Sequence, residues 1–232
     1  MTYSSILYQM ETDIQQFENF VNFTRSFLLS KQEQIEEDIA SMNENFSSNG
    51  ELDVAMNTSE FFTYNAFLKM RRDSTKYSNI FVKTNLVYLM SIYEHYLCKV
   101  QEIFYSKNPN NLTATPLTEI QKLATITNRL KKFSYKSCKK QLKAIEINLK
   151  VDISSLFGDS LEQLEEIVAT RNIIVHNHGF IDDKYLEIVP KSSLAIGEKR
   201  PLSIDYLEDS IRCVNMVLFN LIDNLREKEG DE

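Results

Sequence analysis

An arginine, an amide and an imidazole lie close together near the end of one apolar segment of the sequence. Arg171, Asn172 and His176 belong to the run Arg-Asn-Ile-Ile-Val-His-Asn-His-Gly at residues 171–179. Arginine is always charged, and its planar fork of donors can hold a phosphate and stabilise the negative charge that develops on it. Histidine exchanges a proton near neutral pH, as general base or general acid. These residue types predict acid–base chemistry on a phosphate group that requires no metal ion or other cofactor.

The run is predicted to close a helix over residues 160–178. At about 100° per residue, five side chains fall on one stripe of this helix: Leu161, Leu164, Val168, Arg171 and Val175. The stripe predicts a core-facing position for Arg171, with Asn172 and His176 at its edge. Since an unpaired buried guanidinium is costly, Arg171 is expected to have a fixed partner, an anionic ligand or an accessible place at a protein interface.

Three further polar residues could support this chemistry. Asn172 precedes His176 by one helical turn, so its amide can reach the imidazole or a bound phosphate. Asn177 and His178 are followed by Gly179. This composition favours the end of a helix over a catalytic role, because Asn and Gly suit left-handed backbone geometry. His178 could still contribute to ligand binding.

The most regular apolar helix pattern covers residues 79–105, where apolar side chains form a broad stripe. Glu94 lies at the margin of that stripe, between Met90 and Leu97. A carboxylate in such a place is either paired or extended to water. Arg171 is the predicted partner of Glu94, and a solvated glutamate is the alternative.

The spacing of Arg171 and His176 resembles the Arg-x4-His signature of the HEPN superfamily, in the form with a polar residue directly after the arginine. Residues 86–97, Leu-Val-Tyr-Leu-Met-Ser-Ile-Tyr-Glu-His-Tyr-Leu, are also similar to this family, in which an acid at the place of Glu94 is common. The likeness covers roughly residues 77–226. One departure is His178, which stands where some relatives have a tyrosine.

The resemblance implies an all-α helical bundle that forms a homodimer with a composite, metal-independent RNA-cleaving site. His176 would act on a ribose 2′-hydroxyl and Arg171 on the phosphate, leaving 2′,3′-cyclic phosphate ends. Such proteins often act as toxins or in defence against phage, so an antitoxin or regulatory protein is an expected partner. A homodimer also answers a geometric difficulty, because residues five positions apart point about 140° away from each other on one helix.

Three other interpretations stay open at this stage. The motif could be a salt-bridged arginine and a capping histidine that only lock the end of a helix. The chain could be a non-catalytic HEPN-like module that binds RNA, a nucleotide or a partner protein. It could also be a purely structural helical protein, given its acidic surface and long first helix.

A local reversal of charge marks the middle of the chain. The protein has a net charge of −7, yet residues 129–150 contain eight basic residues and one acid, a net charge of +7. Phe133 and Tyr135 interleave with these cations, a pattern compatible with a phosphate track and base stacking. The alternative is a solvated helix face. The residues predicted to bind RNA are Lys131, Lys132, Lys136, Lys139, Lys140 and Lys143.

Few turn-forming residues interrupt the chain, which has five glycines and four prolines. This predicts an all-α fold, an antiparallel helical bundle of the HEPN-like kind. Residues 1–75 are expected to form a long N-terminal helical extension, with a separate short helix over residues 58–72, and residues 76–232 the bundle domain. Short apolar runs separated by a glycine predict a small β-hairpin or an ordered loop near residues 185–204.

The three cysteines, Cys98, Cys138 and Cys213, are odd in number and widely spaced. They match neither a zinc site nor a disulfide framework, and they suit a reducing compartment. The sequence has no apolar run long enough to span a membrane. These features predict a cytoplasmic protein with no membrane partner.

Overall fold

The computed structural model describes residues 2–48, 59–112 and 117–230, which are almost entirely helical. The helices are α1 (Tyr3–Ser48), α2 (Ser59–Lys107), α3 (Glu119–Ser134), α4 (Cys138–Leu149), α5 (Ile153–Phe157), α6 (Ser160–Asn177), α7 (Asp183–Ile188) and α8 (Ile204–Glu229), with a short 3-10 turn at Pro109–Asn111. These residues contain no β-strand beyond one isolated bridge. The predicted all-α fold is therefore confirmed.

Two long helices and the last one form the centre of the molecule. Helices α1, α2 and α8 all pack against one another, and α6 packs against both α2 and α8. Their fully buried side chains include Leu86, Tyr93 and Leu97 of α2 and Val214 and Leu221 of α8. The apolar stripe expected over residues 79–105 thus faces the core, as amphipathic spacing requires.

Helix α2 is longer than expected. It runs without a break over residues that had been assigned to a short helix at 58–72 and a separate helix at 79–105. The absence of glycine and proline from this stretch explains the continuity, since nothing in it breaks the backbone hydrogen-bond ladder. The boundary expected between residues 75 and 76 lies inside this helix.

The first half of α1 packs in the same core as α2 and α8. Tyr3, Met10 and Val21 have no exposed surface, and Ile14 is 2% exposed. Around the middle of α1 aromatic side chains such as Phe23 and Phe27 are exposed, while Ile39, nearer its end, is 6% exposed. The central core therefore holds α1 mainly through its first half, up to Val21.

The hairpin expected near residues 185–204 does not form. Asp182 caps a short helix instead, α7, by accepting a hydrogen bond from the amide of Tyr185 at 2.8 Å. An aspartate that satisfies an orphan amide favours a helix start over a strand at this point. The remaining loop returns to α6 through a single antiparallel bridge between Phe180 and Lys199.

No helix within residues 2–48, 59–112 and 117–230 combines the length and the apolarity that crossing a bilayer requires.

Candidate functional site

Helix α6 carries the Arg-x4-His motif and ends close to the expected residue. Its buried face consists of Leu164, Ile167, Ala169, Thr170 and Ile173. The helix ends at Asn177, and the amides of His178 and Gly179 both donate to the carbonyl of Ile173. His178 itself takes the left-handed conformation (φ 54°, ψ 17°). Gly179 also has a positive φ, of +88°, and the helix ends one residue before the expected residue 178.

Arg171 lies between α6 and α2 and has two partners. Its Nη2 is 2.6 Å from Oε1 of Glu94, and its Nη1 donates to Oδ1 of Asn172 at 3.1 Å. The arginine side chain is 21% exposed and the glutamate 36% exposed. The predicted pairing of Glu94 with Arg171 is therefore confirmed. The guanidinium is fixed in place but is still accessible from solvent.

His176 also lies on the accessible side of α6, but it points in a different direction from Arg171. Its side chain is exposed, and within the part of the chain that the structure describes it makes no hydrogen bond or ion pair. Five residues of helix separate it from Arg171 by about 140° in direction and roughly 7.5 Å along the axis. The two groups do not converge on one atom within a single chain.

An accessible strip of α6 runs between Arg171 and His176 and back along the helix. We call this strip the α6 ridge. All of its residues are half-buried or exposed; they are Leu161, Glu165, Val168, Asn172, Val175 and His176. Val175 had been predicted to face the core, and this is wrong, because it is 49% exposed. The buried face is centred on Ile167 and Thr170, and Val175 lies at its margin.

Two lysines that are far away in sequence approach the end of α6. The Nζ of Lys83 donates to the carbonyl of His178 at 3.5 Å, and Lys199 lies 5.9 Å from the ring centre of Phe180. Burial lowers the pKa of Lys83, and the positive charge of Lys199 lowers it further. Cations suit the C-terminal end of a helix, where the backbone carbonyls leave a partial negative charge.

No sequence signal pointed to these lysines. Lys83 lies on α2, which three further helices separate in sequence from α6. Lys199 comes near the motif where it forms the bridge with Phe180. Asn177, by contrast, had been predicted to end the helix. Its side-chain amide donates to the carbonyl of Phe180 at 2.8 Å and so fixes the turn after the helix.

A mostly buried ionic cluster supports the other face of α6. The carboxylate of Glu166 accepts hydrogen bonds from Thr170 at 2.8 Å, Tyr206 at 2.9 Å and Tyr185 at 3.3 Å, and it forms an ion pair with Arg200. The guanidinium of Arg200 also lies over both tyrosine rings, 5.1 and 5.6 Å from their centres. This cluster joins the loop after α7 and the start of α8 to α6.

Arg200 also links the cluster to the end of the motif helix. Its backbone amide donates to the carbonyl of Gly179 at 2.9 Å. Gly179 has a φ of +88°, and an added Cβ would lie 3.4 Å from the Nζ of Lys83. The cluster could not be recognised from the sequence, because a glutamate on a helix ordinarily indicates a solvated position.

The six lysines predicted to bind RNA are all exposed, but they do not form one track. Lys139, Lys140 and Lys143 line a groove of about 450 Å³ beside the first turns of α6, together with Glu146 and Glu165. Glu165 precedes His176 by eleven residues, roughly 16 Å along the helix. Lys132 and Lys136 line a different groove. Lys131 lines neither.

The three cysteines are free thiols. Burial raises the pKa of Cys138 and Cys213 to about 11, so that neither is a thiolate at neutral pH. Burial also raises the pKa of Cys98. Among the described residues no group of three His, Cys, Asp or Glu side chains could hold a metal ion.

Comparisons with protein-family models, with curated proteins and with solved structures found no match to this chain. The resemblance to the HEPN superfamily therefore rests on the residues of the motif.

Proposed function

We propose that this protein is a metal-independent endoribonuclease of the HEPN type, which cleaves RNA as a homodimer and acts as a toxin or an anti-phage defence effector. One observation carries the proposal. Arg171 is held at 2.6 Å by Glu94 in a solvent-accessible position, and the imidazole of His176 is free and exposed on the same helix. A fixed anion-binding group and an imidazole free to exchange protons are the two groups that phosphodiester cleavage needs.

In the proposed reaction His176 removes the proton from a ribose 2′-hydroxyl. The 2′-oxygen attacks the neighbouring phosphorus, and Arg171 stabilises the additional negative charge of the pentacoordinate phosphate. The bond from phosphorus to the 5′-oxygen then breaks, and that oxygen takes a proton from a second imidazolium. The products are a 2′,3′-cyclic phosphate and a free 5′-hydroxyl.

The need for a second imidazole and the geometry of α6 both favour two copies of the chain. Arg171 and His176 point to opposite sides of the α6 ridge, so one copy offers each RNA phosphate only one of them at close range. The ridge between them exposes Val175 and the half-buried Asn172. Pairing of two ridges across a twofold axis would cover the valine and give a shared cleft two copies of each group.

The groove of Lys139, Lys140 and Lys143 is the proposed approach for the RNA strand. It opens beside Leu161 and Glu165, which belong to the α6 ridge, so a strand bound there continues along one helix toward His176. Lysines of this kind bind phosphates regardless of base sequence.

A non-catalytic HEPN-like module that binds RNA, a nucleotide or a partner protein is the second candidate. It is favoured by the carboxylate of Glu94, which already neutralises part of the charge that Arg171 would offer to a transition state. The two candidates differ in one respect, the formation of a cleaved product.

The experiment is an RNA cleavage assay with the full-length protein in EDTA. We expect His176→Ala and Arg171→Ala each to reduce the rate by about a hundredfold or more, as removal of an acid–base or charge-stabilising group does. His95→Ala is the matched control, because His95 is an exposed histidine of α2 outside the site, and it should leave the rate unchanged. Retained RNA binding without any product would support the binding module. A wild-type protein that neither cleaves nor binds RNA would contradict the nuclease and an RNA-binding module, and would leave only a module for a nucleotide or a partner protein.

A further inference from the structure

A second groove, which the proposed cleavage site does not use, runs along α3. We call it the α3 groove. It has a volume of about 500 Å³ and is lined by Tyr105, Leu112, Thr125, Asn128, Arg129, Lys132, Phe133 and Lys136. Tyr105 follows Glu94 by eleven residues of α2, roughly 16 Å along that helix, so the α3 groove lies apart from Arg171.

The floor of the α3 groove is apolar and aromatic. Tyr105, Leu112 and Phe133 are at most 9% exposed and belong to the packed interior at the end of α2. Buried side chains of this kind do not move aside easily, so the floor is formed before any ligand arrives.

The walls of the α3 groove carry three cations and no acid. Lys132 and Lys136 are exposed and, among the described residues, have no ion-pair partner. Arg129 is oriented by the bond from its Nη2 to the carbonyl of Leu112 at 2.8 Å, and its guanidinium lies 5.6 Å from the ring centre of Tyr105. Three positive charges around one concavity repel each other unless an anion lies between them.

The neighbouring groove beside α6 differs in this respect. Its three lysines share the groove with Glu146 and Glu165, and Lys143 is already 2.5 Å from Glu146. The net positive charge of the α3 groove is therefore the larger of the two, and a small polyanion should prefer it.

The lining residues of the α3 groove are also ordered along its length. Thr125 and Asn128 lie toward one end and Lys132 and Lys136 toward the other. The hydroxyl of Thr125 donates to the carbonyl of Gln121 at 2.7 Å, which leaves its oxygen available as an acceptor, and the amide of Asn128 can both donate and accept. One end thus offers neutral polar groups and the other end offers cations.

We propose that the α3 groove binds a free nucleoside di- or triphosphate. The phosphates lie among Arg129, Lys132 and Lys136, and the nucleoside lies over the aromatic floor with its polar edge toward Thr125 and Asn128. A volume of about 500 Å³ is typical of a site for one small molecule. The site does not depend on the proposed nuclease activity.

The experiment measures equilibrium binding of a fluorescent ATP analogue to the full-length protein at physiological salt. We expect Lys132→Gln/Lys136→Gln to weaken binding about tenfold or more, because charged donors dominate phosphate recognition. The matched control is Lys139→Gln/Lys140→Gln, which removes the same charge from the same segment outside the α3 groove. The control should change the affinity less than about twofold, because these exposed side chains line a different groove and salt weakens their effect on an anion that they do not contact.

Competition with ATP, inorganic triphosphate and a short RNA distinguishes the possible ligands. Stronger displacement by ATP than by either competitor supports a nucleotide site. Equal displacement by inorganic triphosphate would overturn the assignment of the nucleoside, and stronger displacement by RNA would make the α3 groove part of an RNA track. Equal loss of binding in the two lysine variants, or no binding by the wild-type protein at millimolar analogue, would overturn the proposal.

Discussion

At the scale of single residues, the pair of Glu94 and Arg171 determines how much positive charge the motif presents. The two side chains are 36% and 21% exposed, so the pair is only partly desolvated. Such pairs add little to stability, but their geometry fixes where the guanidinium lies. Asn172 supports the same orientation through its side-chain oxygen. We therefore expect Glu94 to influence a bound anion through its ion pair with Arg171.

Glu94→Gln should bind RNA about three to ten times more tightly at low salt, since removal of the carboxylate charge leaves Arg171 with its full charge. The affinity can be measured by fluorescence anisotropy with a labelled oligonucleotide at several salt concentrations. The free energy of unfolding should change by less than about 1 kcal/mol, because the glutamate is more than a third exposed.

Glu102→Gln is the matched control for this change. Glu102 lies two turns further along α2 and pairs with Lys99 at 3.0 Å, with a similar exposure of 35%. The substitution removes the same charge from the same helix, at a position away from Arg171. If both variants gained the same affinity, the effect would reflect net charge alone, and the role assigned to the Glu94 and Arg171 pair would be wrong.

At the scale of the elements, the apolar periodicity predicted α6 almost to its last residue. It did not predict the short helix α7 that follows. Helical spacing predicted a core-facing position for Arg171 and a pairing with Glu94; the pair forms, with the arginine side chain 21% exposed. The position of Val175 was missed, because a stripe drawn on an isolated helix does not reveal which neighbouring elements cover it. The expected hairpin failed for a local reason, the cap that Asp182 gives to α7.

The end of α6 also depends on residues that no local pattern could identify. Arg200 and Tyr206 meet Glu166 only after the loop following α7 has folded back. Contacts over such separations are decided by tertiary packing, which propensity and spacing do not encode.

Glu166→Gln should lower the free energy of unfolding by about 3 kcal/mol, because it leaves the guanidinium of Arg200, which is 18% exposed, without its counter-charge. Urea denaturation measures this change. Amide hydrogen exchange should also become faster at the end of α6, where the amide of Arg200 holds the carbonyl of Gly179.

Glu162→Gln provides the comparison, one turn earlier on the same helix. Its partner Lys191 and the glutamate itself are 80% and 71% exposed, so no measurable loss of stability is expected. A loss as small in Glu166→Gln as in Glu162→Gln would mean that the cluster does not stabilise the end of α6.

At the scale of the whole molecule, composition and periodicity predicted long helices but not how the first one packs. The apolar residues of α1 have nearly helical spacing along its full length, yet those that join the central core all lie in its first half. Sequence spacing alone does not distinguish a helix that completes a core from one that extends into solvent. The expected division at residue 75 can therefore be tested through the energetics of α1.

Met10→Ala in α1 should lower the free energy of unfolding of the whole chain by about 3 kcal/mol, because the side chain is fully buried and its removal leaves a cavity. Met70→Ala in α2 removes the same atoms from a side chain that is 54% exposed, and it should cost less than about 0.5 kcal/mol. Chemical denaturation followed by circular dichroism measures both. If α1 were an independent extension, Met10→Ala would leave the main transition in place and produce a separate, earlier one. A single shifted transition would instead show that α1 and the helix carrying Arg171 and His176 unfold together.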